Sequence, residues 1–175
     1  MILKLKRTPG IYLAGFMGSG KSTIGKALAE ELGWAFLDLD EEIERTQGVE
    51  IREFFETQGE EKFREIESAA LTKVVDLVSR GQPKIVALGG GTFQSEENRQ
   101  LTSDHGVSIW LDCPFEVVAE RVAGYEHRPL ALDADRFRKL FDDRRAHYAK
   151  ADYTVETGAD EASAVVERIL ALGLI

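Results

Sequence analysis

The sequence predicts an α/β fold, a three-layer sandwich in which a five-stranded parallel sheet lies between helices. Short apolar runs alternate with longer amphipathic ones from residue 11 to residue 170, the signature of consecutive βαβ units. Glycines and aspartates gather just after the apolar runs, where such sheets bind ligands. No repeat, low-complexity run or linker interrupts the chain, so residues 1–175 read as one domain.

Ile11 to Ala14 is apolar throughout and ends in glycine, as a buried strand does. Lys21 to Leu32 carries Ile24, Ala27, Leu28 and Leu32 on one helical stripe, and Gly33 stops it. Ala35 to Leu37 is a second strand that ends at Asp38. Acidic helical segments fill Asp40 to Ser79, broken near Gly48 and Gly59. In the last of them Phe63, Ile66, Ala70, Val74 and Val78 keep one face apolar. Ile85 to Leu88 is a third strand, ending in Gly89-Gly90-Gly91. Ser95 caps a short helix to about Thr102. Val107 to Leu111 is a fourth strand, and Pro114 opens the next helix. Residues 123–134 show no period. Asp135 to Ala149 is a charged helix, Tyr153 to Val155 a fifth strand, and a final helix buries Val165, Val166, Ile169 and Leu170.

The net charge of −9 argues against a nucleic-acid or anionic-membrane surface, which needs a basic patch. The single cysteine, Cys113, excludes an intrachain disulfide and reads as a small buried side chain. The amino terminus MILKLKRTPG lacks the apolar run of a signal peptide, and no stretch has the ~18 apolar residues of a membrane span. A cytoplasmic location is the expectation.

Gly15 to Ser22 fits G-x-x-x-x-G-K-[ST] in full, with a strand before it and a helix after. Glycines let successive N–H groups curl around an anion, and the helix amino terminus adds positive potential. Gly18, Ser19, Gly20, Lys21, Ser22 and Thr23 are therefore candidates for binding the phosphates of ATP. Lys21 reaches the β- and γ-oxygens, and Ser22 is a candidate ligand of Mg²⁺. The motif alone is shared by motors, GTPases and small kinases. The chain is short for motor modules and has no N-K-x-D base-reading motif, which favours a compact kinase. Asp38-Leu39-Asp40 follows the second strand. Read as extended chain, the two carboxylates point to different sides, Asp38 toward the metal and Asp40 toward an acceptor hydroxyl. A competing reading makes Asp40 only a helix cap.

Phe55-x-x-x-Gly59-Glu60-x-x-Phe63-Arg64-x-x-Glu67 comes next. Arg64 offers a planar fork for a carboxylate, Glu67 is placed to steady it, and Phe55 and Phe63 are candidates to wall a small ring. A surface ion pair with both rings in the core is the alternative. With the preceding D-x-D and the later triple glycine, this pattern resembles the shikimate kinase family. The resemblance implies a nucleoside monophosphate kinase-like P-loop fold with a lid over residues 123–134. It implies transfer of the γ-phosphate of ATP to the 3-hydroxyl of shikimate, with Mg²⁺, in chorismate and aromatic amino-acid biosynthesis. Arg64 and Gly90 are then shikimate-binding, and Arg128 of Arg128-Pro129-Leu130 closes over the ATP phosphates as a third catalytic residue beside Lys21 and Asp40.

After the lid the family shows an arginine four residues before a tyrosine, here Arg144 and Tyr148, which implies Arg144 as the second substrate arginine. Arg145 beside it is not separated by helix-face counting. Ala146 stands where the family often has proline. Glu156-Thr157-Gly158-Ala159 lacks an arginine that some members place near adenine. Asp112 at the end of the fourth strand competes with Asp38 for the metal, and the resemblance favours Asp38. No chemistry falls to His105, His127 or His147. A monomer is expected, with ATP and shikimate as its partners. Rival readings are a gluconate kinase-like enzyme and a non-catalytic nucleotide-binding module.

Overall fold

The computed structural model describes residues 10–124 and 133–174. Five strands run in the order β1 (Gly10–Ala14), β2 (Ala35–Asp38), β3 (Lys84–Ala87), β4 (Val107–Asp112) and β5 (Tyr153–Glu156) along the chain. In space they lie β2-β3-β1-β4-β5, and every pairing is parallel. Among the described residues seven helices connect or follow them: α1 (Lys21–Leu32), α2 (Leu39–Gln47), α3 (Ile51–Ser79), α4 (Glu96–Asp104), α5 (Phe115–Ala123), α6 (Ala134–Tyr148) and α7 (Ala162–Leu170). A 3₁₀ turn, Thr92–Gln94, links β3 to α4.

Strand alternation builds the layers. Ile11 and Leu13 of β1 face Ile24, Leu28, Val165 and Ile169, under α1 and α7. Tyr12 and Ala14 face the other way, into a larger apolar cluster with Phe54, Phe63, Leu71 and Tyr148 from α3 and α6. Every residue of β1 is buried, as a central parallel strand covered on both faces must be.

The breaks fall where expected. Gly33 ends α1 in the left-handed region, its N–H bonded to Ala29 O and Glu30 O. Gly48 ends α2 in the same way. Gly59, at φ 83 and ψ 169, breaks the helical backbone inside α3, where the sequence predicts two segments. Ser95 Oγ accepts from Asn98 N at 3.3 Å and caps α4, which runs to Asp104 rather than Thr102.

Boundaries differ elsewhere by a residue. β3 starts at Lys84 and stops at Ala87, although Leu88 N still donates to Leu13 O at 3.0 Å. The segment expected to be irregular over 123–134 is helical at both ends, since Ala123 closes α5 and Ala134 opens α6 with Asp133 as its cap. Residues 125–132, including Arg128, lie outside the described residues. Among the described residues no helix is long and apolar enough to cross a membrane.

Candidate active site

The phosphate loop runs from the end of β1 to the start of α1. Gly18 and Gly20 take φ of 78° and 94°, which a side chain rarely adopts, so the sharp curl requires glycine there. Gly20 caps α1 without a side-chain acceptor, and the first turn holds no acidic residue. Its amide donors are thus left for an anion. Lys21 Nζ arches back to donate to Gly15 O at 2.7 Å and Phe16 O at 3.1 Å. Gly18, Ser19, Gly20 and Thr23 line a cavity of about 440 Å³ together with Arg121, Thr157, Gly158 and Asp160.

Ser22 Oγ donates to Asp38 Oδ2 at 2.6 Å, which brings the two candidate metal ligands together. The other oxygen, Oδ1, accepts from Asp40 N at 3.0 Å and Glu41 N at 3.2 Å. The helix cap is therefore Asp38, and Asp40 is free of that duty. The reason expected for the separation of the two carboxylates does not hold. Residues two apart on a strand share a face. What separates them is the helix that begins at Leu39, directly after the last strand residue.

The triple glycine is a wall against which Asp40, Glu67, Arg64 and Arg144 close. A Cβ on Gly89 would sit 2.7 Å from Asp40 Oδ1 and 3.0 Å from Glu67 Oε2. One on Gly90 would sit 3.0 Å from Arg144 Nη1, and one on Gly91 would strike the Arg64 guanidinium. Behind them Arg64 Nη1 donates to Glu67 Oε1 at 2.8 Å, and Thr92 Oγ1 donates to Glu67 Oε2 at 2.9 Å. Glu67 is 1% exposed, so Arg64 is held by a buried carboxylate with both oxygens engaged. Of the two phenylalanines expected at a ring, Phe63 is buried among Phe54 and Phe55, and the Arg64 guanidinium lies 5.4 Å from its ring centre.

Burial lifts the Asp40 carboxyl to about 6, helped by repulsion from Asp38 and opposed by Lys21. Such a carboxylate is poised to take a proton near neutral pH. From the other side Tyr148 Oη donates to Gly90 O at 2.5 Å, and burial pushes its hydroxyl up to about 12. Arg144 stands over the Phe16 ring at 5.9 Å, with its buried Nε unpaired among the described residues. Two arginines and a carboxylate thus surround one glycine rim, next to a phosphate loop.

The sequence model of shikimate kinase matches residues 17–172. The chain belongs to the shikimate kinase family. A shikimate kinase of Persephonella marina is 40% identical over 161 residues, covering 91% of this chain and 96% of that one. Among solved structures, shikimate kinase from Acinetobacter baumannii in complex with shikimate has a TM-score of 0.87 at 35% identity, covering 99% of this chain and 97% of that one. Shikimate kinase from Aquifex aeolicus has a TM-score of 0.81 at 36% identity, covering 93% and 94%.

Two choices that the shikimate kinase motifs left open in the sequence look different in space. Arg144 points to Gly90, whereas Arg145 donates to both oxygens of Asp112 at 2.6 and 3.3 Å. Asp112 is therefore occupied by an arginine, while Asp38 meets Ser22. Sequence reasoning missed Arg121, which donates to Gly18 O at 2.9 Å and Gly158 O at 2.7 Å across the cavity beside the phosphate loop. It lies in the last turn of α5, and only the packing of that helix on the phosphate loop marks it. Thr92 and Asn98 were missed too, the latter donating from Nδ2 to Thr92 O at 3.0 Å.

Proposed function

We propose that this chain is a shikimate kinase: it transfers the γ-phosphate of ATP to the 3-hydroxyl of shikimate, giving shikimate 3-phosphate and ADP, in chorismate and aromatic amino-acid biosynthesis. The observation that carries the reading is the meeting of Arg64, Arg144 and Asp40 around Gly89–Gly91 beside the phosphate loop. A small molecule with one carboxylate and several hydroxyls suits that set. The Arg64 fork, steadied by Glu67, takes the carboxylate, and Arg144 with the Gly90 backbone holds it from the other side.

Asp40 orients the attacking hydroxyl and accepts its proton. The hydroxyl oxygen bonds to the γ-phosphorus while the bond from that phosphorus to the bridging oxygen of ADP breaks. Lys21 swings from its own loop carbonyls to the β- and γ-oxygens. Arg128 is assigned to the transferring phosphoryl group on its R-P-L motif alone. Most of the rate enhancement is positioning and electrostatics.

Ser22 and Asp38 would hold Mg²⁺. Both present oxygen within one short hydrogen bond of each other, which suits a hard cation. Among the described residues no cluster of three or more His, Cys, Asp or Glu forms a protein-only cage. When bound, the ion neutralises phosphate charge. A cytoplasmic, monomeric enzyme completes the proposal.

An ADP-release assay across shikimate, gluconate and nucleoside monophosphates tests it. Turnover with shikimate alone is expected. Preference for gluconate would mark a different metabolite kinase, and no turnover with any acceptor would mark a non-catalytic module.

A further inference from the structure

Arg145 and Asp112, each a rival for another role in the sequence, are bonded to one another. Arg145 presents two nitrogens to two oxygens, at 2.6 and 3.3 Å, the forked geometry that fixes orientation as well as distance. Its guanidinium also lies 4.8 Å from the Trp110 ring centre and 5.6 Å from that of Phe141. Asp112 is the last residue of β4, and Trp110 lies two residues before it. The clamp therefore ties the last turn of α6 to the carboxyl rim of the sheet.

Neighbouring residues on a helix point about 100° apart. With Arg145 held on Asp112 and Trp110, Arg144 is turned toward Phe16 and Gly90. Tyr148, one turn after Arg144, is brought over Gly90 O on the same side. The nucleotide half is tied to the main chain of Asp112 and not to its side chain, so the clamp does not carry that contact. Asp112 O accepts from Thr157 N at 2.9 Å, and Thr157 and Gly158 line the cavity beside the phosphate loop.

We propose that Arg145 is a positioning residue for the acceptor: through Asp112 and Trp110 it sets the rotation of α6, and so holds Arg144 and Tyr148 against Gly90. The proposal rests on shikimate as the acceptor. The two side chains are 38% and 21% exposed, and an ion pair that accessible adds little to global stability. Loss of positioning is therefore separable from loss of fold.

The test is steady-state kinetics and melting temperature for Arg145→Ala, Arg145→Lys, Asp112→Asn and the double variant Arg145→Ala/Asp112→Asn. KM for shikimate is expected to rise roughly tenfold in Arg145→Ala. It should rise in Asp112→Asn too, and by less in Arg145→Lys, while KM for ATP and the melting temperature stay near wild type. The double variant should be no worse than the worse single one, because both act on one clamp. If Arg145 itself held the acceptor carboxylate, Asp112→Asn would free it, and KM for shikimate would stay or fall. That result overturns the proposal, as does an additive double variant or an equal rise in both KM values with early melting. A wild-type chain inactive on shikimate would instead sink the functional reading. Wild-type turnover with unchanged Arg145→Ala kinetics would sink this inference alone.

Discussion

In the function proposed above Asp40 takes the proton of the attacking hydroxyl, and its burial makes that carboxylate costly to ionise. Burial comes first among the causes that lift its carboxyl from 3.8 to about 6. A carboxyl raised in the folded state contributes stability below about 3.8 that is lost as pH rises through about 6. At pH 7.5 the ionised side chain therefore burdens the fold. Asp40→Asn is expected to melt higher than wild type at pH 7.5 and to lose that advantage at pH 4, in calorimetry without nucleotide or metal. The same variant should lose roughly 10²- to 10⁴-fold in kcat while still binding ATP, because only the proton acceptor is gone. A variant that turned over normally would remove Asp40 from the mechanism. Arg64→Ala should raise KM for shikimate far more than KM for ATP. Gly91→Ala should copy it, since a methyl there occupies the place of the Arg64 guanidinium.

At the scale of elements, the breaks matter as much as the helices. Gly59 holds a φ/ψ pair open to few residues other than glycine, and the break sits four residues before Phe63 and five before Arg64. It lets the second part of α3 turn so that Phe63 enters the core and Arg64 meets Glu67. A Cβ at Gly59 would meet no neighbour, so the strain of Gly59→Ala is purely backbone. It should cost about 1–3 kcal/mol in urea denaturation. A free energy within a few tenths of wild type would mean that the backbone relaxes into continuous helix. The sequence marked this break by glycine. It did not mark the ends of the 123–134 segment, where Asp133 caps α6 by accepting from Arg136 N at 3.2 Å. Aspartate before a charged stretch is a weak signal, because solvated loops contain the same residues.

For the whole molecule, the parallel sheet brings residues far apart in sequence to one rim. A net charge of −9 would repel two anionic substrates, yet Lys21, Arg64, Arg121 and Arg144 converge there. Binding of ATP with Mg²⁺ at about 100 times its Kd should stabilise the fold by about 2.7 kcal/mol, a rise of roughly 5–10 °C in melting temperature. Lys21→Ala should lose most of that rise. An unchanged shift would place the nucleotide elsewhere.

The layers, the phosphate loop and the family are legible in the amino-acid order, because they rest on local patterns: apolar period, glycine where the backbone curls, and motif spacing. Asp38 beside Ser22 and Arg64 beside Glu67 were legible for the same reason. Tertiary structure alone decided between residues that are chemically alike and adjacent. Arg144 and Arg145 differ only in what lies 100° apart around α6, Gly90 for one and Asp112 for the other. Arg121 reaches the phosphate loop across more than a hundred residues of chain, a contact no local pattern encodes. Side-chain type is written in the sequence, but direction is set by the packing of whole elements on the sheet.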